Sequence, residues 1–279
     1  MKNKIWFVTG ASKGLGLALV KKLLSSGYRV AATSRNANDL QKAVNAGREV
    51  FLPLAVDLKN EGSVENAIKE TVSHFGSIDV IVNNAGYGLV GSLEELSDAE
   101  VRENFDVNVF GVLNVIRKAM PFLRKQKSGH IFNIASIGGF TGKFPGFGSY
   151  IATKFAMHGF SESLAAEANA FGINVTIVSP GYFRTEFLDA SLGVPKNEIA
   201  DYKLVREAQN LHQKEINNNQ PGDPVKAAEV LIAIAEQTTP PLHLFLGRDS
   251  YQLAEQKIKL IEEDMAAVKE LATSTDHEK

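Results

Sequence analysis

The chain begins with a run of apolar residues, Ile5–Thr9 (IWFVT), that stops at Gly10. A short apolar run ended by glycine marks a strand buried on both faces of a parallel sheet. The period then changes. Leu15, Leu19, Leu23 and Leu24 recur at helical spacing within Leu15–Ser26, and Gly27 closes the segment, as glycine does at a helix C-terminus. The alternation continues with strands at Tyr28–Ser34, Val50–Val56, Ile78–Val82, Gly129–Ala135 and Ile173–Ser179. Helical patterns fall between them, over Asp39–Ala46, Ser63–Phe75, about Asp98 to Lys125, and Ser149–Phe171. This order predicts an α/β fold, a doubly wound parallel sheet with helices on both faces. Right-handed crossovers bring the strand C-termini to one rim, where ligands bind near the switch point.

Beyond Pro180 the rhythm weakens. Residues 186–222 hold polar stretches, including Asn217-Asn218-Asn219 and Pro221-Gly222, around a helical segment near 200–215. A helix near 224–237, a short strand at Leu242–Leu246 and an amphipathic helix near 250–271 follow. The last helix carries Glu255, Lys257, Lys259, Glu262 and Glu263, which reads as a solvated face, and the tail Ser274–Lys279 reads as frayed. With no repeat and no linker, one domain spanning 1–279 is the simplest organisation: a core over 1–190 and a substrate-loop and C-terminal region over 186–279.

Composition removes several classes. The 279 residues are 44% hydrophobic and 22% charged, with a formal net charge of −2, ordinary for a globular protein and unlike a basic nucleic-acid binder. There is no cysteine, which excludes disulfides and thiolate metal sites. The six histidines (His74, His130, His158, His212, His243 and His277) show no HxxxH or HExxH spacing, so no metal is expected. No stretch approaches the ~20 apolar residues of a membrane span, and the apolar N-terminal run is too short for a signal peptide. A cytoplasmic location, without membrane partners, is the resulting expectation.

The candidate chemistry begins after the first strand, where Gly10-Ala11-Ser12-Lys13-Gly14-Leu15-Gly16 leads into a helix. Glycines there permit the turn and let backbone N–H groups approach a pyrophosphate, which the helix N-terminus then favours. An ordinary tight turn has the same glycines; the position between strand and helix points to a phosphate cradle. The second strand ends Thr33-Ser34-Arg35, with no acid. An acid there would bind a ribose 2′-hydroxyl, whereas Arg accommodates a 2′-phosphate. With Lys13 as a second cation, NADP(H) is favoured over NAD(H), unless both are merely solvated charges.

Tyr150-Ile151-Ala152-Thr153-Lys154 places Tyr and Lys on one face of a helix. An unperturbed Tyr has a pKa of ~10, and a nearby ammonium favours the phenolate. Such pairs are also common surface neighbours. Ser136 lies just beyond the fifth strand, on the same rim.

Together TGASKGLG (9–16), NNAG (83–86), Asn108, Ser136, YIATK (150–154) and PGYFRT (180–185) resemble the short-chain dehydrogenase/reductase family over residues 5 to about 190. The resemblance implies a Rossmann fold and hydride exchange between nicotinamide and a carbonyl or secondary alcohol. It implies that Tyr150 is the general acid or base, that Lys154 lowers its pKa and binds the nicotinamide ribose, and that Ser136 holds the substrate oxygen. Asn108 would anchor a water leading from Lys154. Gly10, Ser12, Lys13, Gly14, Leu15 and Gly16 would hold the pyrophosphate, and Asp57 would cap the adenine pocket. Asn84 would either bind the cofactor or tie strands together, while Asn83 is structural. The backbone near Phe183 and the Thr185 hydroxyl would meet the carboxamide. The family also implies a homo-oligomer, dimer or tetramer, through the helices near 100–125 and 150–171.

Gly138-Gly139-Phe140, Phe144-Pro145-Gly146-Phe147, Tyr182-Phe183, Phe187 and Leu188 fit a small-molecule substrate with an apolar part, or else they pack the core. A non-catalytic NADP(H) sensor and an epimerase or dehydratase that recycles bound nicotinamide are the rival readings; net NADPH consumption separates them.

Overall fold

The computed structural model describes residues 4–189 and 191–277; Met1–Asn3, Ala190 and the last two residues of the expected frayed tail lie outside it. In chain order the first half runs β1 (Ile5–Val8), α1 (Gly14–Ser25), β2 (Arg29–Ser34), α2 (Ala37–Val44), β3 (Phe51–Ala55), α3 (Glu61–Phe75), β4 (Val80–Asn83), β5 (Gly88–Leu89), α4 (Asp98–Phe105) and α5 (Gly111–Gln126). The second half runs β6 (Gly129–Ile134), α6 (Gly138–Thr141), α7 (Gly148–Asn169), β7 (Ile173–Pro180), β8 (Leu192–Gly193), α8 (Lys203–Asn210), α9 (Pro224–Ala235), β9 (His243–Leu246) and α10 (Arg248–Thr273).

Seven strands form one parallel sheet in the order β3-β2-β1-β4-β6-β7-β9. The order reverses between β1 and β4, so the loops after these strands part and open a crevice at the rim. The expected doubly wound sheet is therefore the one observed. Strand geometry divides the apolar residues between two faces. Ile5 and Phe7 join Ala31, Ile81, Ile131 and Ile177 under α3, α5 and α7. Trp6 and Val8 join Val30, Val82, Phe132 and Val178 under α1 and α9. Trp6 is fully buried and stacks on Phe132 at 6.2 Å between ring centroids. Truncating such a residue to alanine costs about 3–5 kcal/mol.

Among the described residues, four of the helices start where a side chain satisfies the first free N–H groups. Asn36 caps α2, Asn60 caps α3, Ser97 forms a capping box with Glu100 on α4, and Asp223 precedes Pro224 at α9. Helix α1 is among those without one: its N-cap, Lys13, makes no side-chain cap bond.

The structure departs from the sequence expectation in three places. The long helix near 98–125 is broken by a π-helical turn at Asp106–Phe110, an insertion that periodicity does not reveal. Residues 203–216 form α8 followed by a second π-helical turn at Leu211–Ile216. A two-residue parallel pair, β5 with β8, is too short to leave a pattern. Helix α10 buries Ser250 and Ala254 and then leaves the body, so Ile258, Ile261, Met265, Val268 and Leu271 stay exposed beside its charges.

Candidate active site

A cavity of about 1040 Å³ opens at the rim, spanning the loops after β1, β2, β3, β4, β6 and β7. Its first wall is the glycine loop. Gly10 and Gly14 have φ of +66° and +60°, values that side chains resist. A Cβ on Gly10 would stand 2.6 Å from the Ala85 Cα. Gly10, Ser12, Lys13, Gly14 and Leu15 all line the cavity. Gly16 does not: it is buried, and a Cβ there would meet the Asn84 amide at 2.5 Å and the Gly10 carbonyl at 2.7 Å. It packs closely against Asn84 and the Gly10 carbonyl. The N–H groups of the α1 first turn, without a side-chain cap, face a strand-to-helix cradle that would suit a pyrophosphate.

Asn84 holds this loop in place. Its Nδ2 donates to the Thr9 and Gly10 carbonyls, at 2.9 and 3.0 Å, and its N–H donates to the Thr9 hydroxyl at 3.0 Å. Asn84 thus ties strands and also lines the cavity. Asn83 is structural: it donates to Asn133 at 2.8 Å, and Asn133 donates to Ser161 at 2.7 Å, inside the core.

Beside β2, Arg35 is exposed and lines the cavity with Lys13. Asp57 lines it too, while its carboxylate accepts from the Lys59 N–H at 3.0 Å; turn residue and cavity wall are combined. Lys59, which the sequence reading missed, also reaches the wall and pairs with Glu103 at 2.9 Å.

Helix α7 carries Tyr150 and Lys154. Tyr150 and Ser136 line the same cavity, and Ser136 accepts from the Gly138 N–H at 3.1 Å. Although it faces the cavity, Tyr150 is surrounded by protein, and burial pushes its pKa up to about 12 against the lowering effect of Ser136. Lys154 is 4% exposed, donates to the Ile134 carbonyl at 2.8 Å and stands 5.8 Å from the Tyr150 ring centroid. Burial lowers its pKa to about 8. Burial disfavours the charged form of both groups.

Asn108 sits in the first π-helical turn and does not reach the cavity wall. Its Oδ1 accepts from the Tyr87 N–H at 3.0 Å, and its Nδ2 donates to the Tyr87 carbonyl at 3.0 Å and to Thr153 at 3.1 Å. Both Nδ2 hydrogens are used within the protein, so the side chain braces the neighbourhood of Lys154.

After β7 the chain passes Phe183, which bridges to Gly222, and Thr185, which caps the short turn Glu186–Leu188. Both line the cavity. The Thr185 Cβ lies 3.6 Å from where a Gly14 Cβ would stand, so this loop leans on the glycine cradle. Of the expected aromatic residues, Phe144, Phe147, Tyr182 and Phe187 line the cavity. Phe140 turns away and packs on His158 and Phe245. Sequence reasoning also missed His212 and Gln220, which line the wall from the helical segment near 200–215 and the polar stretch that follows it.

Two histidines that are distant in sequence meet in space. His158 and Glu162 on α7 and His243 on β9 offer ligand atoms within 4.8 Å of one another, which one-dimensional spacing does not show. The His158 Nε2 already meets the Ser179 hydroxyl at 3.1 Å, and none of the three lines the cavity.

The comparisons with known proteins agree with this architecture. The model of the short chain dehydrogenase family matches residues 4–192, and the chain belongs to that family. It is 37% identical to the oxidoreductase BOA17 of Botryotinia fuckeliana, over 90% of this chain and 92% of that protein. It is 36% identical to a 3-ketodihydrosphingosine reductase of Bacteroides thetaiotaomicron, over 88% and 89%. A solved short-chain dehydrogenase from Streptomyces avermitilis superposes with a TM-score of 0.89 at 33% identity, covering 98% of this chain and all of that one. The protein is thus an oxidoreductase of the CH–OH/C=O class, a family that binds a nicotinamide cofactor. No helix among the described residues is long and apolar enough to cross a membrane.

Proposed function

We propose that this chain reduces a ketone or aldehyde, or oxidises the matching secondary alcohol, with NADP(H) preferred. The observation that carries the reading is that Tyr150, Ser136 and Lys154 line the same cavity as the glycine cradle. The cofactor supplies or accepts the hydride. Tyr150, neutral near pH 7 like any phenol of pKa ~10 and pushed further that way by burial, holds the proton at Oη and donates it to the substrate oxygen. Ser136 holds that oxygen and stabilises the charge that develops on it, a contribution worth about 10²–10³ in rate for one donor. Lys154, fixed by the Ile134 carbonyl, would hold the nicotinamide ribose and replenish the proton. Asn108, through Tyr87 and Thr153, is a positioning residue. Lys13 and Arg35, two cations at the adenosine end, favour the 2′-phosphate. The apolar wall of Phe144, Phe147, Phe187 and Leu188 suits a carbonyl compound with an apolar body.

The test is Tyr150→Phe. NADPH-dependent reduction across a ketone panel is expected to fall by about 10³ or more, with NADPH affinity, read by fluorescence titration, largely kept. Normal turnover overturns the assignment.

The family reading also includes a homo-oligomer. Phe110 and Phe155 are 52% and 44% exposed on the first π-helical turn and on α7, apolar surface that a second copy would cover.

A further inference from the structure

We propose that Tyr182, His212 and Gln220 form a second polar station in the cavity, binding a hydroxyl group that the substrate carries in addition to its reacting carbonyl. The inference rests on the reductase reading and adds the substrate class: a hydroxylated ketone or aldehyde with an apolar body.

The three residues come from separate stretches of chain and line one cavity with Tyr150. Hydrogen-bond logic fixes the protons. His212 Nδ1 lies 2.7 Å from the Ala208 carbonyl, and a carbonyl accepts, so Nδ1 carries the hydrogen. Nε2 is then an acceptor, and the Tyr182 hydroxyl donates to it at 2.8 Å. With its hydrogen committed, the Tyr182 oxygen offers lone pairs to a ligand. Burial lowers the His212 pKa and raises that of Tyr182, which keeps both groups neutral. His212 is held from its other side by Phe147, 4.7 Å away between ring centroids, and Phe147 packs in one cluster with Tyr150 and Ile151. The station is thereby linked to the reacting end by a single layer of side chains.

Gln220 adds an independent observation. It is 2% exposed, and neither Nε2 nor Oε1 of its amide has a partner in the protein. Buried amides are nearly always paired, so one left open at a cavity wall marks a place where a ligand completes the bonding. The amide can donate and accept; Tyr182 accepts. A hydroxyl satisfies both residues, since it too donates and accepts, whereas a carboxylate cannot donate to Tyr182. The nicotinamide carboxamide has the same bonding capacity as a polar substrate group, so the test must separate these two sources.

The experiment uses matched pairs of straight-chain ketones, one member of each bearing a hydroxyl at increasing distance from the carbonyl and the other lacking it. The ratio of kcat/KM within a pair is the readout, for the wild type, Gln220→Leu and Tyr182→Phe, together with NADPH Kd and Tm. The wild type is expected to prefer one hydroxylated ketone by about tenfold or more, and each variant to lose most of that preference. For Gln220→Leu, Tm is expected to hold or rise, because an unpaired amide is removed. A wild-type ratio near one for every pair, or a preference that survives both substitutions, overturns the proposal. A weakened NADPH Kd in Gln220→Leu with an unchanged ratio assigns the amide to the cofactor and also overturns it. A lowered Tm with an unchanged ratio does the same by showing a structural amide. The same pairs are compared by calorimetric binding to the NADP⁺-loaded protein. If no ketone is turned over, the reductase reading fails, while the binding ratio still decides for or against the station.

Discussion

Single residues show how burial decides chemistry. Arg35 was legible as the end of the second strand, and it remains exposed at the cavity wall. Arg35→Asp is expected to lower the NADPH-to-NADH ratio of kcat/KM by at least about tenfold, since an acid repels the 2′-phosphate and suits a ribose hydroxyl; an unchanged ratio rejects Arg35 as the reader. His130 was just one of six scattered histidines in the sequence. In the fold it lies between Phe132, at 3.9 Å, and Thr176, and burial lowers its pKa from 6.5 to about 3. The unfolded chain therefore takes up a proton near pH 6.5 that the folded chain refuses. Stability from this group is complete above pH 6.5 and is lost as pH falls toward 3. The slope is about 1.4 kcal/mol per pH unit per histidine. Urea unfolding of His130→Leu is expected to show a shallower fall than wild type between pH 6.5 and about 5; parallel slopes would refute this. Neither the partners of His130 nor those of Asn108 could be read from the sequence, because both depend on residues tens of positions away.

At the scale of elements, long amphipathic segments were legible and interruptions were not. The pattern over Asp98 to Lys125 reads as one helix, yet the turn at Asp106–Phe110 inserts a π bulge. The bulge presents Asn108 to Tyr87 and Thr153, a tertiary gain invisible to local periodicity. Helix α10 was legible as amphipathic, and its charged face is solvated as expected. Its apolar residues beyond Ala254 are also exposed, which a helical wheel alone would assign to a core. Removing the chain from Glu262 onward is expected to change unfolding free energy by no more than about 0.5 kcal/mol, as for other exposed surface. A loss of several kcal/mol in chemical denaturation would show that this segment is covered in solution.

For the whole molecule, the crevice follows from strand order. The reversal between β1 and β4 separates the loops that become the two walls, and the loop after β7 closes the third side by leaning on Gly14 through Thr185. Assembly belongs to this scale as well. Light scattering after gel filtration is expected to give a dimer or tetramer, and Phe155→Glu, with Phe110→Glu, is expected to shift it toward monomer. A monomeric wild type would remove the oligomer proposal and leave the exposed aromatic pair without that role.

The sequence by itself determined the strand–helix alternation, the glycine cradle, the Tyr150/Lys154 spacing and the absence of cysteine chemistry. Each of these is written in residue type and short-range period, and local sterics and burial act directly on such patterns. Tertiary structure alone decided which polar groups are paired. It packed Gly16 against Asn84, bonded Asn108 to Tyr87 and Thr153, turned Phe140 away from the cavity and brought Tyr182, His212 and Gln220 to one cavity. Those outcomes depend on contacts between elements far apart in the chain, and no local period encodes them.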